Sequence, residues 1–353
     1  MTGVLISAWS ALTPFGHGRA AFADGVLAGK PVDPVSTSDD WAAAEACVVP
    51  DFDIVEQLGR KGTSSMDRTS ALAIATLRAL QRDERGSRAP DARTGVVLGT
   101  TSGSASTQFA FTRDSLTRRK PYLVNPAQMP FALMNSAAAQ CAMWHGLTGP
   151  NSTLAAGRTT APAVLGYAAR LLRTGRASGV FAGAVEEHSG ARVLLAEGQL
   201  LGEAGVLLFL QTADAGNRPA LAEVVASRTR IGEPRRALAD CLRDALAGHR
   251  PADVWGLASG GGAPEVSEVE HEAAGAVLGQ RVDAVVRPDQ LVGDTGAASG
   301  VLGIAALLAM AEVDGRARGR LAVTTSVDRD GMVGCVVLRL PAGPPAGSQG
   351  VSG

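Results

Sequence analysis

Two stretches of this chain are too apolar to lie on any surface. Residues 162–174 carry Val164, Leu165, Ala168, Leu171 and Leu172; residues 296–312 carry Val301, Leu302, Ile304, Ala305, Leu308 and Met310. Both have the period of a helix but neither has a polar face, so each belongs in the middle of a domain with other elements around it. Pro162 in the first turn and Gly175 just past the end punctuate the first of them. A third helical pattern over residues 67–81 carries Leu72, Ile74, Ala75, Leu77 and Leu80. Between the helices lie short runs rich in Val, Ile, Leu and Ala, bounded by Gly, Pro or polar residues. They cover residues 4–9, 95–99, 152–155, 180–184 and 205–210, then 220–227, 254–258, 321–326 and 334–340. The alternation predicts an α/β architecture with helix-covered sheets. Each half runs from a strand through a turn of small residues into a buried helix, at Leu154-Ala155-Ala156-Gly157-Arg158 and at Val292-Gly293-Asp294-Thr295. That shared theme suggests an internal duplication with a break near residues 212–218.

Composition narrows the class. The 353 residues allow a large core or two domains of ordinary size, and 46% hydrophobic content is globular rather than disordered. A net charge of −1, with no basic block interleaved with aromatics, argues against nucleic-acid or membrane partners. Cys47, Cys141, Cys241 and Cys335 form no CxxC pair and have no His at ligand spacing. Reduced, buried thiols in a cytosolic protein are expected, rather than a disulfide framework or a zinc site. The opening residues lack a basic segment followed by a long apolar run, so no signal peptide is expected. The apolar stretch at residues 301–310 reads as too short to span a bilayer. Together these features point to a soluble, cytoplasmic protein. The Pro/Gly/Ser-rich residues 342–353 read as a disordered tail. No P-loop, no GxGxxG between strand and helix, and no HExxH occurs, so no nucleotide, flavin or metal cofactor is expected.

The segment GPNSTLAAGRTTAPAVLGYAARLLRTGRASGVFAGAVEE, residues 149–187, resembles the β-ketoacyl synthases of the thiolase superfamily. In that family a Gly-Pro pair leads a strand into an elbow bearing the catalytic Cys. A buried helix and a strand ending in a Gly-rich turn follow. Gly149, Pro150, Leu172, Arg173, Gly175, Ala177, Ala182 and Gly183 match those places. VLISAWSALTPFG is similar to the family's opening strand, and MDRTSALAIATLRAL to its first long helix. The resemblance runs from about Val4 to Leu340. It implies a thiolase-like fold of duplicated α-β-α-β-α layers with two mixed five-stranded sheets, one half over residues 1–212 and the other over 213–341.

The departures from the family pattern fall on its chemistry. Arg158 stands at the elbow in place of the nucleophilic Cys. Ser259 replaces the His of HGTGTP, here Ser-Gly-Gly-Gly-Ala-Pro. Asp294 replaces the second His, and the supporting Lys aligns with Asp289. The glycine-rich turn near the end aligns with residues 327–331 and keeps one clear Gly. Claisen condensation needs a thiolate made reactive at a helix N-terminus, and imidazoles to stabilise the thioester enolate. A guanidinium stays protonated and is no nucleophile, while a carboxylate at residue 294 would repel an enolate. A buried Arg158 also needs a counter-charge. The family fold makes the elbow and second-His positions face each other, so Asp294 is the expected partner and Asp289 the second choice.

Within the family, the chain-length factors of bacterial type II polyketide systems lack the Cys and pair with an active ketosynthase. Many carry Gln at the Cys position; Arg158 puts in doubt any decarboxylating role given to that Gln. The resemblance implies a heterodimer that meets near residues 152–155, with an acyl carrier protein reached through the complex. Bulky residues at the interface would stop the growing chain. Phe109, Thr112 and Leu116, spaced for one helical face, and Phe131 and Met134 on a second wall are the candidate tunnel residues. Ordinary core packing is the alternative for each of them. Two rival functions stay open. An active enzyme would use a displaced nucleophile, Cys141, with His145 four residues on. A stand-alone homodimer would bind an acidic carrier protein through Arg113, Arg118, Arg119 and Lys120. His17 and His188 fall in expected loops with no visible partner.

Overall fold

The computed structural model describes residues 3–82, 91–196, 198–215, 220–279 and 282–343. The expected disordered tail lies outside the described residues from residue 344 onward, and so do residues 216–218 of the expected break.

In the first half, β1 (Val4–Thr13), β2 (Thr94–Gly99), β3 (Asn151–Leu154), β4 (Gly179–Glu186) and β5 (Ala204–Thr212) form one set of strands. In the second, β6 (Ala222–Ile231), β7 (Val254–Ser259), β8 (Ala284–Val286), β9 (Leu321–Val327) and β10 (Met332–Arg339) form another. The first set lies in the order β3-β2-β4-β5-β1, parallel from β3 to β4 and antiparallel from β4 to β1. The second set, β8-β7-β9-β10-β6, repeats that order and those directions strand for strand. The two mixed five-stranded sheets expected from the family are therefore present, and so is the duplication. They are not separate, however. Leu5 pairs with Glu223 and Ile6 with Ala222, which joins β1 to β6 and makes one continuous path. A small three-stranded sheet of Val35–Ser38, Ala43–Cys47 and Leu201–Gly202 stands apart from it.

The helices repeat as well. α1 (Arg68–Arg82) follows β1; α2 (Ala105–Thr117) and α3 (Ser136–His145) connect β2 to β3; α4 (Thr160–Arg173) connects β3 to β4. In the second half α5 (Pro234–Ala245) follows β6, α6 (Pro264–Leu278) connects β7 to β8, and α7 (Ser299–Val313) connects β8 to β9. Strand alternation sorts the layers. Val97 and Ala322 face a central core that holds Val164, Leu165, Leu302 and Ile304 of α4 and α7. Val96 and Leu98 face the other way, onto Leu72, Leu77 and Leu80 of α1. Val323 and Val337 likewise face Leu238 and Leu242 of α5. The result is α-β-α-β-α, with α4 and α7 as the middle layer.

That position explains why α4 and α7 lack a polar face. In α7 every residue from Ser299 to Ala309 is buried. Where α7 meets α4, a Cβ on Gly300 would lie 2.7 Å from the Ala161 Cβ, so the close approach requires glycine. By length and composition residues 296–313 could cross a membrane, contrary to the sequence expectation, but 72% of this stretch is buried inside the protein. All four cysteines are free and buried. Truncating the central layer should be expensive. Leu302→Ala, at a fully buried position, is expected to lower unfolding free energy by about 3 kcal/mol, as read from urea denaturation.

Candidate functional site

The duplication aims the starts of α4 and α7 at one point. Each helix is entered through a single 3-10 turn, Gly157–Thr159 for α4 and Gly296–Ala298 for α7. Arg158 comes from the first turn; Asp294 precedes the second. Gly157 has φ +49°, a left-handed conformation that favours glycine, and it swings the next side chain inward.

Arg158 is 8% exposed. Its guanidinium forms an ion pair with the Asp294 carboxylate and donates to the Gly261 carbonyl at 3.1 Å and to Gln199 Oε1 at 3.2 Å. Asp294 is clamped in turn. Its Oδ1 accepts the Gly296 N–H at 2.8 Å, and its carbonyl accepts Arg192 Nη2 at 2.8 Å and the Gly202 N–H at 2.9 Å. The structure thus brings together the pair expected from sequence. The second-choice partner, Asp289, is engaged elsewhere: it accepts from Arg287 at 2.9 Å and from the Gly262 N–H at 3.3 Å. Ser259 donates to Glu270, which is 1% exposed and also accepts the N–H groups of Gly260 at 3.3 Å and Gly261 at 3.2 Å. Burial, with the Asp289 charge adding to it, pushes the Glu270 carboxyl up to about 8. A cavity of about 220 Å³ remains beside the ion pair, with Thr101, Glu186, Gln199 and Asp328 in its wall.

Sequence reasoning missed a second set of buried acids, of which Glu186 lines this cavity. Glu186 accepts from Thr100 at 3.2 Å and sits 3.5 Å from Arg192 Nε. Glu187 accepts from Thr69 at 2.9 Å and from the Ser106 N–H at 3.2 Å; burial and the neighbouring Asp67 charge push it up to about 7. Glu203 takes Arg68 on both oxygens, at 2.5 and 2.7 Å, and the N–H groups of Val49 and His188 at 3.1 Å each. The acidic pair closing β4 and the Gly202-Glu203-Ala204-Gly205 turn were the visible signals. Their partners are remote in sequence.

The expected tunnel residues divide. α2 forms over the expected segment, with Phe109 edge-on to Trp41 at 5.4 Å and Arg113 over the Trp41 ring at 4.7 Å. Thr112 is exposed, Leu116 is 79% exposed and Met134 is 48% exposed. Phe131 is buried with Ala137 and Cys141 in the outer core of the first half. α3 packs on β3, which pairs with β2 alone and leaves its other edge open among the described residues. Cys141 is fully buried, and burial raises its thiol pKa far above the ordinary value. His145 turns to the Ile74 carbonyl at 3.2 Å rather than to that sulfur. Both loop histidines have partners after all. His17 meets the Pro50 carbonyl and His188 meets Thr37 Oγ1, each at 2.8 Å.

Comparison with known proteins agrees with this geometry. The profile of the β-ketoacyl synthase N-terminal domain matches residues 1–215. The solved structure of the ishigamide ketosynthase/chain length factor superposes with a TM-score of 0.89 at 40% identity, covering 96% of this chain and 99% of that one. The actinorhodin polyketide β-ketoacyl synthase 2 of Streptomyces coelicolor is 25% identical over 351 residues, 86% of this chain and 84% of its own length. The 3-oxoacyl-[acyl-carrier-protein] synthase 2 of Vibrio harveyi is 31% identical over 148 residues. That last match spans 41% of this chain and 35% of the relative.

Two measurements test the electrostatics of the site. Asp294→Asn leaves a buried guanidinium uncompensated and should cost about 3–5 kcal/mol in urea denaturation. The double change Arg158→Met with Asp294→Leu should cost much less, because no charge is left unpaired. Glu270 supplies a pH dependence. The folded chain keeps this proton up to about pH 8, whereas the unfolded chain releases it near the ordinary value of 4.5. The stabilisation from this group is therefore complete below pH 4.5 and is lost as pH rises toward 8. The slope should be about 1.4 kcal/mol per pH unit in the middle of that window. Denaturation of Glu270→Gln across pH 6–8 should lack this share of the slope.

Proposed function

The chain belongs to the β-ketoacyl synthase family, on its chain-length-factor branch, and from that premise we propose that it is the non-catalytic partner of an active ketosynthase. One observation carries the reading. The side chain at the elbow is a guanidinium paired with a carboxylate, where condensation needs a thiolate and a neutral imidazole. The guanidinium cannot form an acyl-enzyme, and its charge is already taken up by the Asp294 carboxylate. The Ser259 hydroxyl is committed to Glu270, which argues against its use as a substitute nucleophile. The buried Cys141 argues against the displaced-nucleophile alternative.

The proposed work of the subunit is at its surface. The open edge of β3 supports sheet-edge or face pairing with a related partner. Leu116, Tyr122, Met134 and Met143 are large apolar side chains exposed on the α2 and α3 side, and such exposure marks an interaction site. In the proposed heterodimer Phe109, Thr112, Leu116 and Met134 form one wall of an acyl tunnel, and Phe131 backs that wall from the core. An acyl carrier protein delivers chains to the partner's thiol, so this chain needs no cofactor. The complex is proposed to work in the cytoplasm in type II polyketide synthesis.

Coexpression with an active type II ketosynthase should yield a complex that copurifies and condenses, while this chain alone forms no acyl-enzyme. Leu116→Asp with Met134→Asp should abolish copurification yet leave the fold intact by circular dichroism. Phe109→Ala in the intact complex should shift product length by at least one extension unit, read by mass spectrometry. A stable homodimer that ignores the ketosynthase would favour the stand-alone carrier-binding alternative and overturn this reading.

A further inference from the structure

The elbow carries a second closure besides the missing thiol. At the start of α4 the backbone N–H of Arg158 donates to Asp328 Oδ2 at 2.6 Å. An N–H at a helix N-terminus beside a nucleophile is a natural seat for the negative oxygen that develops when a thioester is attacked. Here a carboxylate from the turn after β9 already occupies that seat. Asp328 is held in place by its own surroundings: its N–H donates to the Met332 carbonyl at 2.8 Å, and its Oδ1 accepts the Arg329 N–H at 2.7 Å.

The seat exists because residue 157 is glycine. A Cβ there would overlap the Asp328 carboxylate. The same fit occurs twice more across the site. A Cβ on Gly261 would overlap the Asp289 carboxylate, and one on Gly262 would lie 2.6 Å from the Arg158 Cζ. Three charged side chains fill volumes that three glycines leave open. A nucleophile lost by simple decay would leave a hole at the elbow, with its N–H free; this elbow is filled and its N–H is taken.

We propose that Asp328 is a positioning residue that closes the elbow, a resident carboxylate seated on the N–H that an acyl oxygen would need. The inference rests on reading the site as a former condensing centre. It adds that restoring sulfur at residue 158 does not by itself restore acylation. The new thiol would lie beside Asp294 and Asp328, whose charges oppose thiolate formation, and its oxyanion N–H would stay occupied.

The test compares Arg158→Cys alone with Arg158→Cys/Asp328→Asn and Arg158→Cys/Asp328→Gly, each as the full chain in complex with its ketosynthase. Asn removes the charge but keeps an oxygen on the N–H; Gly removes both. Alkylation of the introduced thiol by iodoacetamide requires a thiolate and no oxyanion seat. It should be at least tenfold faster at pH 7.5 in both double variants than in the single one. Acylation by an acyl thioester of N-acetylcysteamine requires the seat as well, and should accelerate at least tenfold in the Gly variant and not in the Asn variant. Equal acylation of all three, or equal gains from Asn and Gly, would overturn the proposal. Circular dichroism checks folding, and Arg158→Cys/Asp328→Ala replaces the Gly variant if that one fails to fold. Condensation by the chain with Arg158 intact would instead sink the parent reading, whatever the series gives.

Discussion

A guanidinium at the centre of the molecule sets the terms for everything around it. Arg158 stands at the N-terminal end of a buried helix, where the backbone already carries partial positive charge. Left alone there, the cation would cost several kcal/mol. The structure meets that cost with the Asp294 carboxylate, the Gly261 carbonyl and Gln199. Each comes from a different segment, so one buried charge ties the first half's elbow to three parts of the chain. The Asp294 backbone is pinned in turn to Leu200, Gly202 and Arg192. The ion pair acts as a peg between the halves.

Much of this arrangement was legible in the sequence through the family resemblance. That resemblance implies that the elbow and second-His positions face each other, so opposite charges at residues 158 and 294 predict a contact across 136 positions. Strands with long apolar runs were equally visible. β8 was not, because three residues on an exposed sheet edge carry no period. α6 was hidden for another reason: its acidic residues Glu265, Glu268, Glu270 and Glu272 leave no clean apolar stripe, and one of them, Glu270, points inward. The role of Asp328 was beyond sequence reading. The turn at residues 327–331 looked merely eroded, and only the fold shows that its carboxylate ends on the Arg158 N–H.

Glu270 shows how one replacement changes the state of another group. The family resemblance implies a Lys where Asp289 stands, which would give a buried Glu270 a neighbouring cation. Asp289 supplies an anion instead, and its own ion-pair partner is Arg287. Glu270 is left with Ser259 and two glycine N–H groups, and the Arg158 charge offsets only part of the effect of burial. A carboxyl so placed avoids ionisation at neutral pH, as its raised value reflects. The acid stays in the core by keeping its proton.

These features bear on why a chain proposed to be non-catalytic keeps so costly a centre. The proposed tunnel wall must hold its shape while a flexible acyl chain presses on it, and that requires a rigid layer behind α2 and α3. The first sheet supplies this layer, and its β2 and β4 lie directly against α4. α4 is anchored at its start by the Arg158 peg and by Asp328 on the same residue's N–H. An apolar filler at residue 158 would avoid the desolvation cost and leave the backbone N–H on Asp328, but it would remove the link to Asp294. The charged plug therefore trades some stability for a single fixed geometry at the junction of the two halves, and the proposed role of the chain as a shaping subunit depends on that geometry.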